Sequence, residues 1–483
     1  MKPSSILKFL LVVILSLSVI SIVFPKEGID IGIRKLYFIS MGEILHGDDI
    51  QSQPQSLERL LAIEEELRQQ RSRDSICTDV LSNYTTFFES SPIRIDLPDN
   101  DLSFFNDLFT DMDSSLTRGE TVRILHYGDS QIEADRITNY IRQYLQDRFG
   151  GNGPGLLPVA PLLSFSMKQT ISESIEGFIV DGTLQNKATH NRYGLMGHFG
   201  YINGTGSVSI RARKEKDVYE GVRKFHNIQL FVGREAGFYA QMTVNEKTQL
   251  KADITKVSPI TVYSWSLEEP IVRFSLYMGG RGELYGLAVD GTAGVAVDNI
   301  PFRGSGGTFF TSLEQSVVKA MFKQLNVRLI LLEFGGNSVP HISSAKSVTD
   351  YSNSMLKQII YLQSICPEAK ILVIGVADMS TKVKGQLTTY PYLELLNETM
   401  KETALQAGAA FWNMYEAMGG KNSMIEWVNH SPALATSDYV HFTMQGCERI
   451  ASLFCETLMV YYDYYKFITN NEGLICEKPQ SQD

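Results

Sequence analysis

Short apolar runs and period-two runs alternate along this chain, and their order predicts an α/β body interrupted by a β segment. The run TVRILHY (Thr121–Tyr127) is brief, apolar and β-branched, the pattern of a strand buried on both faces of a parallel sheet. VRLILLEF (Val327–Phe334) and KILVIGVAD (Lys370–Asp378) repeat it. Helical spacing is predicted around and between them, over about 102–116, 131–148, 344–364, 391–407 and 443–462. From about 166 to 285 the period falls to two. SVSIRAR, NIQLFVG, FYAQMTV and VRFSLYM each alternate, as at Val208 and Ile210 or at Phe238, Ala240, Met242 and Val244, with Gly, Asn and Lys/Asp turns between them. That texture predicts an antiparallel β-sandwich. No internal repeat is evident, so one α/β domain is read as split by a β insertion.

The N-terminus carries a different pattern. Lys2 and Lys8 lead a predominantly apolar run from Phe9 to Phe24, closed by Pro25 and Lys26. Its length lies between a signal-peptide core and a full membrane span, and no small-x-small cleavage site follows. A signal anchor is expected, with a cleaved signal peptide as the alternative. Either way the rest of the chain is exported to a periplasmic or extracytoplasmic space; as a signal anchor, residues 9–24 would hold it at the inner membrane. Gly42, Gly47 and Asp48 then break the pattern, and Leu57, Leu60, Leu61, Glu64 and Leu67 give a helical period in a charged stretch. That stretch is either a stalk or a helix packed on the body. The expected organisation is a signal segment over 1–25 and a linker or stalk over 26–99. The α/β domain occupies 100–165 and 286–465, the β insert 166–285, and a tail 466–483.

Composition narrows the partners. Of 483 residues 43% are hydrophobic and 10% aromatic, ordinary for a globular core. The net charge of -10, with no basic stripe bearing interleaved aromatics, argues against nucleic acid. The five cysteines, Cys77, Cys366, Cys447, Cys455 and Cys476, are odd in number and scattered, without a CxxC pair or a Cys/His cluster at zinc spacing. Most are read as small buried hydrophobes.

Four motifs carry candidate chemistry. In HYGDSQIEADR (His126–Arg136) a strand ends, Gly128 allows a sharp turn, and Ser130 is expected at the start of a helix. A nucleophile belongs at such a strand end, near helix-terminal amides, although a helix N-cap serine reads the same way. In SDYVHFT (Ser437–Thr443) Asp438 and His441 lie three apart, spaced so that a carboxylate can hold an imidazole in one tautomer; a helix cap beside a partly buried histidine is the alternative. LLEFGGNS places Asn337 in the loop after a strong strand, where its amide can donate to a developing oxyanion or simply make a turn. NIPFRGSGGT (Asn299–Thr308), read as a loop after the strand LYGLAVDG, offers a backbone N–H to the same end. It lacks the GK[ST] and GxGxxG patterns of a phosphate loop. His126 is read as structural, and His341 as a loop histidine close to the pocket.

Taken together and in this order, the motifs resemble the sequence blocks of the SGNH/GDSL hydrolase superfamily. Ser130 in GDSQ matches the block I nucleophile, Gly306 in SGGT the block II glycine, Asn337 in GGNS the block III asparagine, and Asp438 and His441 the block V DxxH. Ser338 departs from the family's GxND. The resemblance implies a flavodoxin-like three-layer α/β domain and a triad of Ser130, Asp438 and His441. It also implies an oxyanion hole of Ser130, Gly306 and Asn337, with no metal or organic cofactor. The insert between blocks I and II resembles bacterial cell-envelope glycan O-acetylesterases and O-acetyltransferases with a carbohydrate-binding-like β domain. The expected substrate is an acylated cell-envelope glycan. Two alternatives are an O-acetyltransferase using the same triad, with a membrane-bound acyl-donor partner, and a non-catalytic glycan-binding scaffold.

Overall fold

A computed structural model describes residues 29–30, 35–36, 59, 61–65 and 77–470, apart from 160–165, 184–185, 215–217 and 245–247. The chain divides into two units, 1–55 and 56–483. In the first, Ile29–Asp30 pairs antiparallel with Lys35–Leu36. The apolar run Phe9–Phe24 lies outside the described residues. Among the described residues no helix is long and apolar enough to cross a membrane.

The second unit is built on a six-stranded sheet. Its order is Gly294–Pro301, Thr121–Gly128, Val327–Glu333, Lys370–Ile374, Ala410–Trp412 and Ile95–Asp96. The first five are parallel, and in chain order they sit 2-1-3-4-5, the flavodoxin-like arrangement; Ile95–Asp96 closes one edge antiparallel. The strands are apolar on both faces because each feeds two cores. Leu125, Tyr127, Ile330, Leu332, Ile371, Val373 and Phe411 enter one, with the helices Gln315–Gln324, Ala345–Ile365 and Leu393–Gln406. Val122, Ile124, Leu329, Leu331, Leu372, Ile374 and Trp412 enter the other, with the helices Asn106–Arg118, Thr138–Phe149 and Met444–Asn470. Side-chain alternation along buried strands thus produces the three layers.

Part of the expected 26–99 linker belongs to this body. The helix Cys77–Ser90 buries Phe87, and Phe88 lies 4.8 Å from the Tyr461 ring. Ile63 is buried in the same core, and Glu64 pairs with Arg449 at 2.7 Å. These contacts fit the packed helix rather than the stalk. The last helix also runs on to Asn470, because Tyr462 and Lys466 both reach Asp113, at 2.6 and 2.8 Å.

The insert is antiparallel β, but the two layers of a sandwich come from one continuous nine-stranded sheet. Phe225–Val244 is a 20-residue strand. Fully extended it would span about 65 Å. Yet the ring of Phe225, at its start, lies 5.8 Å from that of Phe274, whose Cα partner is Val244, at its end. The sheet therefore folds over on itself. Register shifts between Gly279 and Gly286 mark the corner, and at Gly280, with φ of 92°, a Cβ would come within 2.3 Å of the Gly237 carbonyl. The glycine-rich loop at 150–158 contributes a strand to this sheet, Gly155–Leu157 paired with Leu287–Val289. Likewise LYGLAVDG belongs to the insert, and the strand that precedes the Gly306 loop is Gly294–Pro301.

A buried charge cluster joins insert and body. Arg123, 1% exposed, donates to Asp290 at 2.5 Å and to Asp298 at 2.7 Å, and Asp298 also accepts the Leu156 N–H at 2.8 Å. Burial pushes the Asp298 carboxyl up, and Arg123 opposes this. Arg123→Met leaves two buried carboxylates uncompensated and is expected to cost about 3–5 kcal/mol. The triple variant Arg123→Met/Asp290→Asn/Asp298→Asn should recover most of that. Urea midpoints of the three proteins decide it; an unchanged midpoint in Arg123→Met would show that the cluster contributes nothing.

Candidate active site

Two strands that neighbour each other at the point where the sheet order reverses end side by side, and the site forms where they end. Thr121–Gly128 runs into Asp129 and Ser130, and Val327–Glu333 runs into the Gly335–Asn337 loop. Such a switch point leaves a crevice at the carboxyl ends of the strands. Glycine is required at 128, where a Cβ would press on the Glu333 carbonyl and the Ile132 side chain, each at 3.0 Å.

Ser130 does not start a helix, as the sequence suggested; that helix begins at Thr138. Asp129 accepts the Gln131 N–H at 3.0 Å, and Ala134 and Asp135 adopt φ of 61° and 68°, so residues 129–137 form an extended turn. Arg142 holds Asp135 through two hydrogen bonds, of 2.7 and 2.9 Å. Ser130 therefore stands eight residues before that helix rather than in its first turn, and the Arg136 guanidinium donates to its carbonyl at 2.6 Å.

The structure brings the three separated residues together. Ser130 Oγ lies 2.8 Å from His441 Nε2, and His441 Nδ1 lies 2.7 Å from Asp438 Oδ2. The other carboxylate oxygen of Asp438 accepts from the Thr436 hydroxyl and from the N–H groups of Val440 and His441. Burial would raise the Asp438 carboxyl, but these hydrogen bonds outweigh it and hold the group well below the usual carboxylate range. Gln131 fastens the two loops: its amide donates to the Val440 carbonyl at 2.7 Å and its oxygen accepts the Phe442 N–H at 3.4 Å.

The backbone N–H groups of Ser130 and Gly306 donate to no protein acceptor among the described residues. Of Gly306's neighbours, Gly307 has its N–H taken by the Ser305 hydroxyl at 3.0 Å, and Gly304 is exposed. Asn337 stands beside them, but both of its amide hydrogens are engaged, by Asp129 Oδ2 at 3.0 Å and the Ser305 carbonyl at 3.1 Å. It serves an oxyanion only by sharing one of them.

A cavity of about 300 Å³ opens over Ser130, lined by Glu333, Phe334, Val376, Ala377, Met379 and Tyr390, with exposed His341 at its rim. Among the described residues no group of three His, Cys, Asp or Glu side chains is placed to hold a metal. His126 is structural in its contacts: fully buried, it meets Glu333 and the Thr138 hydroxyl, each at 2.9 Å. Glu333, Gln131 and the Asp129–Asn337 contact escaped the sequence reading. Only Glu333 left a signal, a carboxylate ending the apolar run Leu329–Leu332.

Burial pushes the Asp129 carboxyl up to about 7; the Gln131 N–H opposes this and the Glu333 charge adds to it. A carboxyl raised in the fold contributes stability below its ordinary value of 3.8, and that contribution is lost as pH rises toward 7. Asp129→Asn should lack this decline. Urea midpoints of both proteins from pH 4 to 7 test it: the parent should lose stability with rising pH relative to the variant, and parallel profiles would refute the burial argument.

No family model matches the sequence, and no curated protein matches it. Among solved structures, the chain is similar to a peptidoglycan O-acetylesterase at 21% identity, with a TM-score of 0.54, over 75% of this chain and 96% of that one. It is also similar to an acetylxylan esterase from Geobacillus stearothermophilus, at 14% identity over 34% of this chain and 73% of that one, TM-score 0.27. A family two carbohydrate esterase from Cellvibrio japonicus matches at 10% identity over 62% and 99%, TM-score 0.24. The last two scores are too low to bear on the argument. The first shows a shared fold.

Proposed function

We propose that this protein is a serine esterase that removes short acyl groups, chiefly acetyl, from hydroxyls of a cell-envelope glycan. The observation that carries the proposal is the unbroken hydrogen-bonded chain from Ser130 through His441 to Asp438 at the sheet's switch point. In the reaction Ser130 Oγ attacks the ester carbonyl while His441 Nε2 takes its proton. The N–H groups of Ser130 and Gly306, with one shared N–H of Asn337, receive the oxyanion. His441 then protonates the departing sugar oxygen, leaving an acyl-serine. Water enters, His441 takes its proton, and acetate departs as Ser130 regains a hydrogen. Asp438 keeps Nδ1 as the donor and balances the imidazolium charge.

A cavity of about 300 Å³ with an apolar wall suits a short acyl chain. The glycan follows from the likeness to the peptidoglycan O-acetylesterase and from the adjoining β insert. Export, with residues 9–24 as an inner-membrane anchor, is part of the same proposal and rests on Lys2, Lys8 and the apolar run. The test is acetate release from a panel of O-acetylated envelope glycans, run beside acetyl transfer to unacetylated ones. Release supports the esterase. Transfer in its place would assign the protein as an O-acetyltransferase, and neither would contradict the reading.

A further inference from the structure

A second cavity, of about 650 Å³, lies in the insert and shares no lining residue with the one at Ser130. At its floor Glu283 is 5% exposed and its carboxylate is fully employed. Arg192 donates to it through Nε at 3.1 Å and Nη2 at 2.8 Å, the Tyr285 hydroxyl donates at 2.8 Å, and His190 Nε2 lies at 3.2 Å. Burial would raise the Glu283 carboxyl, but these donors hold it below its ordinary value, so the floor is an ionised, neutralised pair. Around it stand Lys187, Arg234 and Arg281, which have no acidic partner among the described residues. Glu176 also borders the cavity, exposed, and forms no ion pair with them among the described residues. One wall is aromatic. Phe178 stacks on Phe199 at 4.8 Å and 11°, His190 stacks on Phe199 at 5.3 Å, and Tyr201 borders them.

In a chain of net charge -10, three cations against the one carboxylate of Glu176, a surplus of two positive charges beyond the Arg192–Glu283 pair, face one concavity beside an aromatic wall and make a place for an anionic ligand with ring faces. The cavity is also tied to the candidate active site. Phe178 is three residues from Asp181, about 10 Å of extended chain. The Asp181 carboxylate accepts the Ser305 hydroxyl at 2.5 Å, and the Ser305 carbonyl accepts from Asn337.

We infer that this cavity is a subsite for the carboxylate-bearing sugar of an acidic glycan, held while a neighbouring acylated sugar reaches Ser130. The inference rests on the glycan-ester reading above and gives that glycan a chemical class. Arg234 and Arg281 supply the charge-assisted hydrogen bonds, and the neutral Arg192–Glu283 pair shapes the floor.

Calorimetric titration of the full-length protein tests it, with three probes: trigalacturonate, a peptide-free tetrasaccharide of N-acetylglucosamine and N-acetylmuramic acid, and neutral chitotetraose. At least one carboxylated probe should bind about tenfold or more tighter than chitotetraose, since one charge-assisted contact supplies that factor. The advantage should shrink as salt rises. Which carboxylated probe wins distinguishes a uronate from a lactyl ether. Arg234→Gln/Arg281→Gln should lose the advantage while turning over p-nitrophenyl acetate as before, because both side chains are exposed and neither lines the Ser130 cavity. Equal binding of chitotetraose, no binding of any probe, a salt-independent advantage, or undiminished binding by the variant would overturn the subsite. Carboxylate binding without any ester turnover would instead defeat the esterase reading and leave the subsite standing.

Discussion

Ser130→Ala is expected to lower turnover of p-nitrophenyl acetate by on the order of a million-fold while leaving the fold intact, the scale on which losing a triad nucleophile acts. The hydroxyl meets His441, 2.8 Å away, and the side chain joins neither core of the body. Removing it costs chemistry rather than packing. Triad members act as a unit, so Ser130→Ala/His441→Ala should be scarcely slower than Ser130→Ala alone. Circular dichroism checks the fold of both. Full activity in folded Ser130→Ala would end the serine-esterase reading, and a glycan-binding scaffold would become the better account.

Asp438→Asn is expected to cost about four orders of magnitude in kcat, through the tautomer of His441. An asparagine oxygen can keep the three hydrogen bonds that Thr436, Val440 and His441 now donate to Oδ1, so the loop holds its shape. Its NH2 then faces Nδ1, which must become the acceptor. The proton moves to Nε2, and His441 no longer accepts from Ser130. Because its hydrogen bonds keep Asp438 ionised well below the usual carboxylate range, the parent should show no loss of kcat from this group across mildly acidic pH. A loss smaller than about tenfold in the variant would assign Asp438 a role in the loop rather than in the reaction; an acidic limb in the parent that vanishes in the variant would instead show that Asp438 titrates within the usual carboxylate range.

Much of the body was legible because buried parallel strands leave continuous apolar runs: TVRILHY, VRLILLEF and KILVIGVAD each cover all or nearly all of a strand of the sheet. The triad was legible through motif order, since Ser130 and His441 lie 311 residues apart and neither motif alone excludes a helix cap. What escaped depended on contacts between distant segments. The turn over 129–137 looked helical because its left-handed residues, Ala134 and Asp135, are not glycines. The Arg123 cluster hid one charge in an apolar strand and its partners 167 and 175 residues away. Alternation in the insert gave strands and antiparallel pairing, but one sheet folded over on itself and two separate sheets produce the same period. The full engagement of Asn337 was beyond reach, because it follows from where Asp129 and Ser305 stand in space.

The most direct test of the central claim, that His441 activates Ser130 as a nucleophile, is covalent capture. The full-length protein is treated with a fluorophosphonate, digested, and the modified peptide located by mass spectrometry. The account predicts one phosphonyl adduct, on Ser130, forming in the parent, abolished in His441→Ala and absent from Ser130→Ala. An adduct elsewhere, no adduct at all, or labelling of Ser130 at an undiminished rate in His441→Ala would contradict it.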